Sequence, residues 1–290
     1  MKPRIMMISM KSNLRIVRYI GLLLMFIFCL TAQNMMAQRG KLFNSDNQLS
    51  SNLATQVFQD SNGFIWIATR NGLNIYDGYN FTTIRKTKED HRGLSSNYIN
   101  CITQDIQGHI LLGTNNSLLL YNGKSFANIP LLDSKNQPFS TYVTQVYRLK
   151  NNDIAVVTSG YGIMLKKENA EVCYAMKGEV ENLKFIHKIL EDKQDRLWII
   201  LENGKLYRAD KKGKVTKQIP GAETLEAKDI RQDNKGNIYL ATKNDGIYLL
   251  KAGSTIFTKI AGIGNLPIEH LYQPLPALVY RLRWYGYLRV

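Results

Sequence analysis

Apolar residues along this chain fall in short runs, not at helical spacing. From about residue 41 onward, runs of about five branched or aromatic residues alternate with Gly, Asn and Asp clusters, the pattern of short strands joined by tight turns. The runs recur in register. "QDSNGFIWIAT" has its Asp at position 60, and "QDIQGHILLGT" has its Asp at 105. "RLKNNDIAVVT" puts Leu149 at the same place, followed by "EDKQDRLWIIL" at Asp192 and "QDNKGNIYLAT" at Asp233. The spacings of 45, 44, 43 and 41 residues are too regular for chance turns. At the turn stand Gly63, Gly108, Asn152, Asp195 and Gly236, residue types that tolerate positive φ. Two residues later come Ile65, Ile110, Ile154, Leu197 and Ile238, suited to one buried strand face. Trp66, Leu111, Ala155, Trp198 and Tyr239 follow, and Thr69, Thr114, Thr158 and Thr242 close four of the five runs.

The flanks repeat as well. "LSSNLATQVFQ" and "LSSNYINCITQ" lead into the first two copies, and Asp77–Gly78, Asn122–Gly123 and Ala252–Gly253 supply later turns. Each unit therefore reads as four short strands, the pattern of a β-propeller blade, whose faces are buried only when blades stack. The predicted fold is all-β: about five and a half propeller repeats over residues 41–273, too few to close a ring well.

These repeats resemble those of the two-component regulator propeller family. The resemblance rests on "LSSNLATQVFQDSNGFIWIATRNGLNIYDG" and "LSSNYINCITQDIQGHILLGTNNSLLLYNG" and weakens in the third copy, where Leu149 and Asn152 replace Asp and Gly. It implies the periplasmic sensor region of a hybrid two-component regulator that recognises oligosaccharides and controls carbohydrate-utilisation genes. The full-length relative would be anchored in the inner membrane and dimeric. This chain shows no kinase, receiver or helix-turn-helix segment, and none of its four histidines lies in a phosphoacceptor helix pattern.

The ends depart from the repeat. Five basic residues and no acid precede the apolar run Tyr19–Leu30, and Ala32 and Ala37 offer small residues for cleavage, so residues 1–37 read as a signal peptide. Twelve apolar residues reach only about 18 Å as a helix, against the roughly 30 Å hydrocarbon core a retained anchor must span. A sixth copy begins at "GIGNLPIEHLYQ" but breaks off, and residues 274–290 are an off-pattern tail with three arginines and no acid. A frameshift or truncation from about Pro274 is expected, against a divergent closing strand.

Composition adds little. The net charge is +15, but the two ends hold eight of the excess positive charges and leave +7 on the repeats, where Lys and Arg are mixed with acids. That is a solvated surface, not a nucleic-acid footprint. Cys101 and Cys173, the cysteines outside the leader, are expected as buried, inert thiols. No metal-ligand spacing, cofactor motif or nucleophile–base–acid set is present, so neither cofactor, metal nor catalysis is expected. The alternatives are a stand-alone exported propeller that binds a protein, or a lyase-type propeller enzyme. Trp66 and Trp198 share a repeat position and are expected to pack between blades, not to stack on sugars. Candidate ligand contacts are turn residues that break the repeat: Arg70, Asn71, Asn115 and Tyr161.

Overall fold

The computed structural model describes residues 43–46, 48–87, 93–272, 279–282 and 286–289, with only the backbone from 272 onward. The expected signal peptide lies outside these residues, as does much of the expected tail. Asn44–Val290 forms a compact unit, distinct from Met1–Phe43. Among the described residues no helix is long and apolar enough to cross a membrane.

Among the described residues the unit is an all-β propeller of six sheets in chain order, antiparallel throughout except for one parallel pair in the third, Cys173–Ala175 with Leu131–Leu132. Blade 1 comprises Ala54–Gln59, Ile65–Thr69, Gly72–Tyr76 and Phe81–Ile84. Blades 2, 4 and 5 repeat this four-strand order, beginning at Ile99–Gln104, Ile186–Glu191 and Ala227–Gln232. Blade 3, beginning at Val143–Arg148, gains two short strands at its outer edge, Leu131–Leu132 and Pro138–Phe139. This addition was not foreseen from the sequence. Among the described residues blade 6 has three strands: Ile268–Tyr272, Val279–Leu282 and Gly286–Arg289. The last two lie in the tail expected to be off-pattern, and they pair antiparallel.

The repeated residues act as their types suggest. Gly63, Gly108, Asn152, Asp195 and Gly236 all have positive φ, between 57° and 91°. Asp60 Oδ1 accepts the Asn62 and Phe64 N–H groups at 2.9 and 3.0 Å, the expected turn role of the repeated aspartate. Its other oxygen accepts the Trp66 indole N–H at 2.8 Å, and Asp192 and Trp198 form the same bond at 2.7 Å. Turn and buried ring are thus joined by one carboxylate. In the third copy, Asn152 keeps the turn without the aspartate, its N–H donating to the Leu149 carbonyl at 3.0 Å. The closing threonines are buried and donate across the next turn, Thr69 to the Gly72 carbonyl and Thr242 to that of Gly246, both at 2.8 Å.

Apolar packing lies between blades. Trp198 is fully buried among residues of blades 4 and 5, including Leu240, Leu250 and Phe257. Trp66 is buried against blade 2 beside Ile102, Ile110 and Leu112. Polar clasps join the innermost strands. Gln56 of blade 1 accepts the Ile102 N–H and donates to the Ile102 carbonyl of blade 2, both at 3.0 Å, and Gln145 holds Ile189 of blade 4 in the same way. In blade 5, Asp229 accepts the Leu271 N–H of blade 6 at 2.9 Å and the Lys188 ammonium of blade 4 at 2.6 Å.

One blade face is bare. Ile102, Val146, Ile189, Ile230 and Leu271 share a repeat position and are at most 5% exposed, whereas Val57 at that position in blade 1 is 61% exposed. Among the described residues nothing covers it, so the ring is incomplete.

Cys101 and Cys173 are free, buried and part of one apolar cluster. Burial pushes both thiols up to about 12. Neither is therefore expected to react with Ellman's reagent at pH 8 while the chain is folded, and both should react in denaturant. Rapid labelling of the native protein would contradict this packing.

Candidate ligand cleft

Every blade carries a β-bulge at the same place on its innermost strand. The register slips once between the first and third residues of the strand, leaving Thr55, Asn100, Thr144, His187, Lys228 and Glu269 as the extra residues. A bulge re-aims the side chain of its extra residue. All six are polar, and the first four line one cavity of about 280 Å³. Three of them also tie neighbouring blades together: Thr55 Oγ1 donates to the Ile99 carbonyl at 2.6 Å, Asn100 Nδ2 donates to that of Val143 at 2.9 Å, and His187 Nε2 lies 3.1 Å from that of Lys228.

The same cavity is lined by two tyrosines, an arginine and a glutamate. Tyr98 and Tyr142 lie two residues before the bulges of blades 2 and 3, their rings edge-on with centroids 6.1 Å apart. The Arg70 guanidinium sits 5.3 Å from the centre of the Tyr98 ring, in cation–π range. Burial and a hydrogen bond with Tyr98 hold the Tyr142 phenol up at about 12. Glu202 lines the blade 4 side of the cavity. Burial, followed by the Lys188 and Lys228 cations, pushes His187 below its ordinary range, so the imidazole is neutral at pH 7. The cleft thus offers aromatic rings, hydroxyl and amide hydrogen-bonding groups, one cation and one carboxylate.

Phe185 occupies the position of Tyr98 and Tyr142 in blade 4. It is 56% exposed and has a φ of 52°, a conformation that disfavours a bulky side chain. The Glu202 N–H donates to its carbonyl at 2.8 Å. Strain of this kind gathers at ligand sites.

Of the four turn residues singled out from the sequence, Arg70 lines the cleft. Asn71 follows it, its N–H held by Thr69 Oγ1 at 3.0 Å and its carbonyl by Arg85 Nε at 3.1 Å. Asn115 is the blade 2 counterpart of Arg70 and is exposed in its turn. Tyr161 is 49% exposed in the blade 3 turn, against Phe139. These three are not among the residues lining the cavity. Sequence reasoning missed the two tyrosines and the bulge residues. Their signal was disagreement between copies: Leu53 and Thr55, Tyr98 and Asn100, Tyr142 and Thr144, Phe185 and His187 vary on either side of a residue that is apolar in each copy, Ala54, Ile99, Val143 and Ile186. Among the described residues, no three His, Cys, Asp or Glu side chains meet in a way that could hold a metal ion.

The comparisons agree with this architecture. The family model for the two component regulator propeller matches residues 48–71 and 93–116, the lead-in and turn of blades 1 and 2. Over 77 residues the chain is 34% identical to histidine kinase P4 of Formosa agariphila, a match spanning 25% of this chain and 6% of that protein. The extracellular domain of a hybrid two component system from B. thetaiotaomicron superposes with a TM-score of 0.70 at 23% identity, over 86% of this chain and 35% of that one. Virginiamycin B lyase from Staphylococcus aureus superposes with a TM-score of 0.61 at 13% identity, covering 85% of this chain and 83% of the lyase. At such identities the structural likenesses speak for fold alone. This protein is a β-propeller whose first two blades carry two-component regulator propeller repeats.

Proposed function

We propose that this propeller is the exported ligand-sensing part of a hybrid two-component signalling protein, that it recognises an oligosaccharide, and that the full-length protein controls carbohydrate-utilisation genes. In that protein the propeller would lie in the periplasm, joined to an inner-membrane anchor and working as a dimer. The observation that carries the reading is the composition of the cleft: tyrosine faces flanked by Arg70 and set over a wall of Thr, Asn and neutral His side chains. Sugar rings present apolar C–H faces to aromatic rings and hydroxyls to such polar groups, and a few placed polar groups suffice to orient a small ligand. One carboxylate and one imidazole, with no serine or cysteine among the lining residues, suit binding better than covalent turnover.

Arg70→Ala is expected to weaken oligosaccharide binding about tenfold, the value of one good polar anchor, and to leave the fold intact because the side chain lies in a turn. Calorimetric titration of the wild type and the variant with a sugar panel checks this. Equal affinities in the two proteins would remove Arg70 from the site. A panel that binds neither would count against the sensing role itself.

A further inference from the structure

We infer that the cleft is one end of a longer groove whose second aromatic station is the Phe139–Tyr161 pair, so that the ligand is a chain of several sugar units and Tyr161 sets the length recognised. The inference rests on the proposed sugar-binding reading and extends it to residues outside the cavity.

Three observations lead there. First, the pair is tied to the cleft through the backbone. The Ser159 N–H donates to the Tyr142 carbonyl at 2.9 Å, and Thr141 Oγ1 donates to the Ser159 carbonyl at 3.1 Å. Tyr161 lies two residues beyond Ser159, and Phe139 lies three before Tyr142. One short stretch on each side therefore leads from the cleft wall to the second ring pair. Second, the pair is built, not incidental. Phe139 ends the added strand Pro138–Phe139, found among the described residues in blade 3 alone, and its ring lies 4.3 Å from that of Tyr161, centroid to centroid, tilted by 31°. Lys184 Nζ donates to the Tyr161 carbonyl at 3.3 Å. Third, Tyr161 departs from the repeat. The residue before the last position of this turn is Asn71, Asn116, Asn203 and Asp245 in blades 1, 2, 4 and 5. Only blade 3 places a large ring there, between Gly160 and Gly162 at φ 84° and 78°, and leaves it 49% exposed.

An exposed aromatic gains nothing for the fold by facing water. A tyrosine supported from behind by a phenylalanine presents a rigid face at low entropic cost, the property used where a flat apolar surface must be gripped. Phe185, also exposed, stands in blade 4 on the side from which Lys184 reaches the turn. Two aromatic stations separated by a polar turn suit a chain of linked rings better than a single ring.

The test uses gluco-, manno- and galacturono-oligosaccharide ladders of one to six units, titrated calorimetrically into the wild type, Tyr161→Ala, Tyr161→Phe and Arg70→Ala. The wild type should bind longer members of one ladder more tightly than its disaccharide. Tyr161→Ala should lose about tenfold on the longer members and little on the disaccharide, while Tyr161→Phe retains wild-type affinity. Arg70→Ala should weaken all lengths alike. If Arg70→Ala weakens binding while Tyr161→Ala changes no length, the extended groove is wrong and the cleft stands. If no ladder binds the wild type, the sugar-binding reading fails and the groove with it.

Discussion

Asp229→Ala unfolds at markedly lower urea concentration than the wild type, with an expected loss of about 3–5 kcal/mol at pH 7, the usual effect of removing one partner of a buried ion pair. Asp229 is 1% exposed and receives Lys188 Nζ at 2.6 Å, with Arg231 Nε and His270 Nδ1 each at 3.9 Å. It also accepts the Leu271 N–H, so the substitution strands a cation and a backbone donor together. Burial alone would raise this carboxyl; Lys188, Arg231 and the Leu271 N–H outweigh it, and the carboxyl lies below its ordinary value. A depressed folded pKa stabilises fully above the unfolded value, about 4, and the contribution is lost as pH falls through the folded pKa. The gap between wild type and variant should therefore be widest near neutral pH and shrink in acid. A gap constant from pH 7 to pH 3 would show that the carboxylate charge is not what holds blades 4, 5 and 6. Lys188→Met with Asp229→Leu should recover much of the loss, since replacing a buried pair by apolar groups is often neutral.

Trp198→Ala has an expected effect of similar size, about 3–5 kcal/mol, from the cavity left by a fully buried indole. The ring meets Phe257 edge-on at 5.8 Å, and the guanidinium groups of Arg196 and Arg208 lie 5.7 and 5.6 Å from its centre. Loss on this scale approaches the whole stability of an ordinary domain, so Trp198→Phe is the companion measurement. It keeps most of the ring and removes the N–H that donates to Asp192, and it should cost clearly less than Trp198→Ala. Denaturant titration followed by circular dichroism reads both variants. A loss below about 1 kcal/mol for Trp198→Ala would mean that the ring does not wedge blades 4 and 5 together.

What the sequence disclosed and what it withheld divide along a physical line. The period, the turns and the burial of both tryptophans follow from local rules: positive φ at Gly63 or Asn152, and branched residues on a covered strand face. The same rules identified the turn role of Asp60 and missed its bond to Trp66, because that bond depends on a strand returning beside the turn. The cleft is non-local. Asn100 and His187 stand in strands that hold other polar residues, such as Thr103 and Lys188, and nothing in their immediate neighbours marks a bulge. Tyr98 and Tyr142 are 44 residues apart and meet only because successive blades stand side by side. Arg70 was visible because it broke the pattern of its turn, and Tyr161 for the same reason. The extra strands of blade 3 carry two residues each, too short for any periodicity to show.

The six bulges separate two tasks that most folds entangle. The apolar interfaces rest on other blade residues, Ile102 and Trp198 among them, while the extra residues of blades 1 to 4, Thr55, Asn100, Thr144 and His187, line the cleft. Substitutions at these positions change the wall and leave the apolar core alone, although Thr55, Asn100 and His187 also bond to the next blade. Variation is thus written on the wall of the ring and not in its core.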